Sequence, residues 1–270
     1  MNGARMKVSI RGTAFDVICP TARAESFWKR LNDEGWEIET LDFLDQHVSK
    51  DTFVFDIGAW IGPVTLYASS RAGHVFAVEP DPAAYAQLQT NVTANAKNVT
   101  LYADAVGRDS GILTLYAKAE LGDSETSALG VPTDQAITVT MITLKKLIEQ
   151  APFGAPVVIK MDVEGVEYQL VDELVDILVQ RKCPLHLSVH PSIYYRSIKY
   201  QYSSLRARLR TFRQTWFLLA RLRPLGSLCL VGGGGGDGRV SQLMRLVSWV
   251  FFRSRVKNFV IILVPDCSAG

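Results

Sequence analysis

From residue 52 to about residue 190, short apolar runs alternate with longer amphipathic stretches, the rhythm of strand and helix in turn. Ahead of it, residues 6–19 alternate apolar and polar positions closely enough to predict a hairpin turning near Arg11-Gly12. Residues 22–34 and 39–49 read as helices, the second with Leu41, Phe43, Leu44 and Val48 on its apolar face. Strands are predicted at 52–57, 74–79, 98–103, 157–161 and 184–189. Helices fall between them at 63–71, carrying Val64, Leu66, Tyr67 and Ala68, at 82–95, begun by Pro82, and from the end of the 157–161 strand to about 180.

The rhythm breaks at 111–142. Two strands, 111–118 and 136–142, flank a polar stretch punctuated by Gly and Pro at 119–135, and Thr143 caps a short helix over 144–150. Inserted connections of that length tend to be functional. Beyond 190, a basic helix is predicted at 199–213, a strand at 216–221, a glycine linker at 232–236 and a terminal strand at 258–264. Residues 240–252 are amphipathic, with Leu243, Met244, Leu246, Val247, Val250 and Phe251 near one side. Strands alternating with helices at this period predict an α/β fold, a doubly wound, mainly parallel Rossmann-like sheet. The division expected is an N-terminal preamble, 1–50, and a main domain, 51–270, with an insertion at 111–142 and a basic C-terminal part at 190–270.

Composition narrows this little: 270 residues suit one elaborated α/β domain, and 48% hydrophobic with 21% charged residues are globular values. Residues 1–10 lack the apolar core of a signal peptide, and no apolar run reaches the ~18 residues of a membrane span, so a cytoplasmic protein is expected. Cys19, Cys183, Cys229 and Cys267 lie far apart with no C-x-x-C spacing, which predicts buried free thiols rather than disulfides or zinc. Charge changes the picture more. Residues 190–270 hold 13 Lys/Arg against two acids, a balance of +11, which leaves −9 for residues 1–189. Such a basic third suits an anionic acceptor or peripheral contact with a lipid surface, and a solvated helix face explains it equally well. No interleaved aromatic-basic motif favours a nucleic-acid partner.

The candidate chemistry sits where predicted strands end. Phe53-Val54-Phe55-Asp56 runs into Ile57-Gly58-Ala59-Trp60-Ile61-Gly62-Pro63, a strand, tight turn and helix start. Gly58 is expected to let backbone come close to a ligand, and Pro63 suits a first helical turn whose unpaired N–H groups face that ligand. Ala59-Trp60 replaces the middle glycine of the dinucleotide fingerprint, which disfavours an NAD-dependent oxidoreductase. Glu79 follows Gly58 by 21 residues, near the spacing at which an acid accepts from a ribose diol. Asp104, after the third main strand, is placed either against an adenine amino group or as a helix N-cap. Val157-Val158-Ile159-Lys160-Met161 runs into Asp162-Val163-Glu164-Gly165, and 184–189 runs into His190. Acids and a histidine at successive strand ends point to ligand binding along one sheet edge.

Taken together, Phe55-Asp56-Ile57-Gly58-Ala59-x-Ile61-Gly62, Val78-Glu79-Pro80 and Ile159-Lys160-Met161-Asp162-Val163-Glu164-Gly165-x-Glu167 resemble the FkbM family of S-adenosylmethionine-dependent methyltransferases, over about 36–191. The resemblance implies a seven-stranded class I methyltransferase fold with a final strand pair, S-adenosyl-L-methionine as cofactor, and O-methylation of a glycan, glycolipid or natural-product hydroxyl. Two positions depart from it: Trp60 replaces a small or polar residue, and Ser188-Val189-His190 stands where an acid is frequent. Within this reading Asp56, Gly58, Ala59, Gly62, Glu79 and Asp104 form the cofactor set. Asp56 organises the glycine loop and the donor's amino-acid part, and Trp60 packs beside the sulfonium or shields the loop. His190 is the first candidate base because its ordinary pKa lies near neutrality, and Asp162 the second, with the donor's ammonium group as Asp162's alternative partner. Glu164 caps a helix or joins Asp162 and His190 around Mg²⁺, an alternative ranked below metal-free transfer. A binding module without turnover, at a membrane or nucleic acid, is the non-enzymatic alternative.

Overall fold

The computed structural model describes residues 3–34, 36–116, 129, 136–231, 256 and 258–266. A hairpin of β1 (Ala4–Ile10) and β2 (Thr13–Cys19) leads into helices α1 (Ala22–Glu34) and α2 (Ile38–His47). The main strands are β3 (Phe53–Ile57), β4 (His74–Val78), β5 (Val99–Tyr102), β9 (Val157–Met161) and β10 (Leu185–Val189). Helices α3 (Pro63–Ser69), α4 (Pro82–Asn95) and α6 (Val171–Arg181) connect them. A three-stranded side sheet of β6 (Ala105–Gly107), β7 (Gly111–Tyr116) and β8 (Ala136–Thr143), followed by α5 (Leu144–Ile148), carries the insertion. Helices α7 (Pro191–Ile198) and α8 (Ser204–Leu222), then β11 (Gly226–Val231) and β12 (Phe259–Pro265), complete the described chain.

The seven strands of the main sheet run in the order β11-β12-β10-β9-β3-β4-β5. The five from β10 to β5 are parallel, and β12 and β11 add antiparallel pairings. The doubly wound, Rossmann-like sheet predicted from the sequence is therefore present. From β3 the chain builds outward through β4 and β5, then returns to β9 on the other side. That reversal creates a crevice beyond the carboxyl ends of β3 and β9, where open α/β sheets bind ligands.

Two-residue alternation sorts the sheet's side chains onto two faces. Phe55, Ile57, Phe76, Ile159 and Met161 pack with Leu147, Leu174, Leu178, Leu218 and Leu222, from α5, α6 and α8. Val54, Val75, Ala77 and Val158 pack with Trp28, Leu44, Leu66 and Leu88, from α1 to α4. The hairpin residues Val8 and Val17 share that second layer, so the N-terminal segment and the main sheet bury one common face. Asn91 of α4 joins them: its Nδ2 donates to the Ile61 carbonyl, and its Oδ1 accepts from the Ile18 amide, both at 2.9 Å. Local chemistry sets the α4 start, where Asp81 accepts from the amides of Ala83 and Ala84 ahead of Pro82.

Several expectations need correction. Residues 216–221, predicted as a strand, continue α8 to Leu222. The buried face of that helix is Ala207, Thr211, Thr215, Leu218 and Leu222, and its threonine hydroxyls donate to carbonyls one turn back at 2.9 and 2.8 Å. Read as polar, the threonines conceal a helical stripe. The final strand pair is instead β11 with β12. Short β6 and helix α7 carried no sequence expectation. Cys19 and Cys183 are buried free thiols as expected, but Cys229, on the edge strand β11, is exposed. Part of the basic C-terminal charge has local partners: Arg208 and Arg210 lie over the rings of Tyr195 and Tyr202. No helix among the described residues is long and apolar enough to cross a membrane. The expected polar connection at 119–135, apart from Leu129, lies outside the described residues, as do the glycine linker at 232–236, the amphipathic stretch at 240–252 and Cys267.

Gly58 has positive φ, +80°, and a Cβ there would meet the Asp162 carbonyl oxygen at 1.8 Å. Protein backbone crossing from β9 is by itself enough to require the glycine, a constraint beyond the ligand approach expected from the sequence. Gly12 has the same φ with nothing within 4 Å of its added Cβ. Gly58→Ala is therefore expected to destabilise by more than about 3 kcal/mol, through collision added to backbone strain. Gly12→Ala is expected to cost about 1 kcal/mol. Urea unfolding of both variants measures the difference.

Candidate active site

A cleft of ≈ 530 Å³ opens beyond the carboxyl ends of β3, β4 and β9, a volume typical of small-molecule sites. The glycine loop supplies Gly58, Ala59 and Trp60, the end of β4 supplies Glu79 and Pro80, and the stretch after β9 supplies Asp162 and Glu164. Ala105 and Val106 of the side sheet form another wall. The N-terminal segment contributes Arg23, Phe27, Arg30, Trp36 and Glu37, none of which the sequence reading selected.

The loop turns through three positive-φ residues, Gly58, Trp60 and Gly62. Both the Gly58 and Ala59 amides donate to the Val78 carbonyl at 2.9 Å. Glu79 completes the stitching, its two carboxylate oxygens accepting from the amides of Trp60 (2.8 Å) and Asp81 (2.9 Å). Burial pushes the Glu79 carboxyl up to about 7, against the pull of those two amides. The Trp60 indole meets Phe27 edge-on at 4.6 Å, and Phe27 makes similar contacts with Trp28 and Trp36. An aromatic cluster thus fastens α1 to the loop. Gly62 caps α3, where an added Cβ would press on Leu88, and it does not line the cleft.

Asp56 lies beneath the cleft rather than in it. It is fully buried, accepts from the Thr65 hydroxyl at 2.5 Å and stands 3.2 Å from the Lys160 ammonium. Asp56 and Lys160 are direct cross-strand partners of β3 and β9. The ammonium also donates to the Gly58 carbonyl at 2.9 Å. Burial acts to lower the Lys160 pKa, but Asp56, Asp162 and Glu37 outweigh it and hold the group above its ordinary value. Lys160 is thus the residue through which Asp56 reaches the loop. Its signal in the sequence was a lysine inside an otherwise apolar buried strand.

His190 is buried among carboxylates. Its Nε2 lies 3.3 Å from Asp162 and 3.7 Å from Glu164, and its Nδ1 lies 3.6 Å from Glu167. Fully buried Glu167, another residue without a predicted role, accepts from the backbone amides of His190 (2.6 Å) and Gly165 (2.7 Å). Burial pushes the imidazole pKa down, yet Asp162, Glu167 and Glu164 together raise it to about 10. In place of the near-neutral base expected from the sequence, the structure has a buried His190 whose carboxylate neighbours favour its protonated form, and which does not line the cleft. Asp162 does line it. Burial would raise its pKa, but His190, Lys160 and a hydrogen bond from Ser188 bring it below the ordinary carboxylate value. Asp104 is half-buried and also falls outside the described lining residues, while its neighbours Ala105 and Val106 form the wall.

The donor atoms of Asp162, Glu164 and His190 all lie within 4.8 Å of one another. This set does not fit the Mg²⁺ alternative. Mg²⁺ takes hard oxygen ligands, whereas one donor here is an imidazole nitrogen. His190 Nε2 faces both carboxylates, and they favour its protonated form.

The family model described as the methyltransferase FkbM domain matches residues 56–210. Among curated proteins, the hexuronic acid methyltransferase AglP of Haloferax volcanii is 26% identical over 154 residues, which cover 57% of this chain and 62% of that protein. The matched chain thus spans less than two thirds of that relative's length. Similar solved structures include methyltransferase FkbM from Methylobacillus flagellatus, with 19% identity, a TM-score of 0.45, and coverage of 79% of this chain and 44% of that one. SMU.1697c from Streptococcus mutans, solved in complex with SAH, has 14% identity, a TM-score of 0.46, and coverage of 83% and 94%.

Lys160→Met leaves Asp56 buried without its counter-charge and is expected to cost about 3–5 kcal/mol. Asp56→Asn combined with Lys160→Met is expected to recover part of that loss, as read by urea unfolding. His190 gives a pH signature. Its folded pKa, about 10, exceeds the ordinary 6.5, so its stabilisation is complete below pH 6.5 and disappears as pH rises through 10. The melting temperature is expected to fall across that window, and His190→Gln is expected to flatten the fall.

Proposed function

The chain belongs to the methyltransferase FkbM domain family, and from that premise we propose that it transfers the methyl group of S-adenosylmethionine to a hydroxyl of a glycan, glycolipid or related natural product. The observation that carries the reading is the shared cleft: Glu79 and Asp162, from strands on either side of β3, line one crevice with the glycine loop between them. The hexuronic acid activity named for the curated relative favours a sugar acceptor.

When bound, the donor supplies an electrophilic methyl group on a sulfonium, a good leaving group. Glu79 receives the ribose diol while its other lone pairs keep the amides of Trp60 and Asp81. The Trp60 side chain, braced by Phe27, forms an aromatic wall beside the positive charge. Asp162 orients the acceptor hydroxyl. With the methyl passing from sulfur to the acceptor oxygen, Asp162 would take the hydroxyl proton and release it to water. An Asp with a lowered pKa is a weak base, so the main contribution is alignment of oxygen with methyl. His190 is a positioning residue: its imidazolium fixes the Asp162 carboxylate from behind.

Calorimetry of the full chain with S-adenosylhomocysteine and with NAD tests the cofactor; heat with NAD alone overturns the reading. Glu79→Ala is expected to weaken S-adenosylhomocysteine about tenfold or more through loss of charge-assisted hydrogen bonds. Asp162→Asn is expected to lower kcat by about 100-fold with donor affinity nearly unchanged, measured with labelled S-adenosylmethionine on a panel of uronic-acid and neutral glycosides. Full turnover in this variant removes Asp162 from the reaction.

A further inference from the structure

Glu37 belongs to the N-terminal segment, ahead of residues 56–210 that match the family, yet it lines the same cleft as Asp162 and Lys160. Its backbone is left-handed, φ 42°, unusual for a residue with a side chain. Such conformations persist where the surroundings hold them in place. Thr40 does part of that work, its hydroxyl lying 2.9 Å from Glu37 Oε2. The same hydroxyl is 3.1 Å from Nε2 of His186, a buried residue of β10 that pairs in register with Lys160. The Glu37 carboxylate is therefore tied to the main sheet, although its residue lies far away in sequence.

The lining of the cleft gives the donor a direction in the reading proposed above, on which this inference rests. With the ribose at Glu79 on β4, the apolar wall of Ala105, Val106, Leu113 and Leu115 suits the adenine, which leaves the side of β3 and β9 to the amino-acid end. Three carboxylates line that end: Glu37, Asp162 and Glu164. The cation within it, Lys160, is already engaged by Asp56 and the Gly58 carbonyl. Arg23 and Arg30 of α1, which also line the cleft, flank Phe27 in sequence at helical spacing. An acid-rich pocket with its internal cation committed suits an incoming ammonium.

We propose that Glu37 binds the α-ammonium group of the donor, which leaves Asp162 to the acceptor hydroxyl. The side chain from outside the family-matching stretch then distinguishes the complete donor from its adenosine portion. Burial, which raises the Glu37 carboxyl to about 6 against the pull of Lys160, accords with a site completed by a further positive charge.

The test needs no acceptor. Binding of S-adenosylhomocysteine and of 5′-methylthioadenosine, which lacks the amino-acid end, is measured by calorimetry for the wild-type chain and for Glu37→Gln. The variant is expected to weaken S-adenosylhomocysteine about tenfold or more while leaving methylthioadenosine within about twofold. Unchanged S-adenosylhomocysteine affinity, or an equal loss for both ligands, overturns the assignment. A wild-type chain that binds neither ligand overturns the donor reading itself, and this inference with it. Thr40→Val loosens the carboxylate without removing its charge, and is expected to give a smaller loss for S-adenosylhomocysteine alone. If Glu37→Gln does not fold, the absence of that selective loss in Thr40→Val is the overturning result.

Discussion

Asp56 and Lys160 face each other across β3 and β9, both buried, at the point where the order of the strands reverses in the sheet. Neither charge is tolerable there alone, since desolvating a lone ion is far more costly than desolvating one that is paired and hydrogen-bonded. The pair therefore couples these strands, and the second ammonium contact, to the Gly58 carbonyl, extends the coupling into the loop above. Gly58 closes the arrangement from the other side by lacking the Cβ that would strike the Asp162 carbonyl. The floor of the cleft is thus set by one ion pair and one missing methyl group.

On that floor the charges are organised in two tiers. Glu167 holds the backbone after β9 and the backbone after β10 together, and faces His190 from behind. His190 in turn presents its Nε2 to Asp162 and Glu164. Carboxylates held in this way are pre-oriented. In methyl transfer from a sulfonium, where the leaving group is already good, orientation is the contribution most needed from the protein. The proposed chemistry and the observed electrostatics therefore make the same demand on the site: fixed carboxylates around a cationic ligand, with no strong base.

The N-terminal segment is more than an approach to the main sheet. It shares the apolar layer on one sheet face, is joined to the glycine loop through Asn91 and the Phe27–Trp60 contact, and supplies part of the cleft lining. Family motifs centred on the strands describe the floor of such a cleft.

What the sequence determined by itself was local and periodic. Alternating runs marked β3, β4, β9 and β10, Asp81-Pro82 marked the start of α4, and Arg11-Gly12 marked the hairpin turn. Glu79 and Asp162 could be placed at one edge because strand ends follow directly from strand runs. Periodicity failed in α8, where buried threonines satisfied their hydroxyls within the helix and so read as polar. Tertiary structure alone decided the state of each charge. The His190 proton depends on carboxylates brought from the preceding strand's loop, and the Asp56 environment on a lysine more than a hundred residues away. The place of Glu37 in the cleft likewise depends on packing between distant segments. Hydrophobic pattern is written along the chain, but desolvation and Coulomb interaction act through space, and only the folded protein specifies those distances.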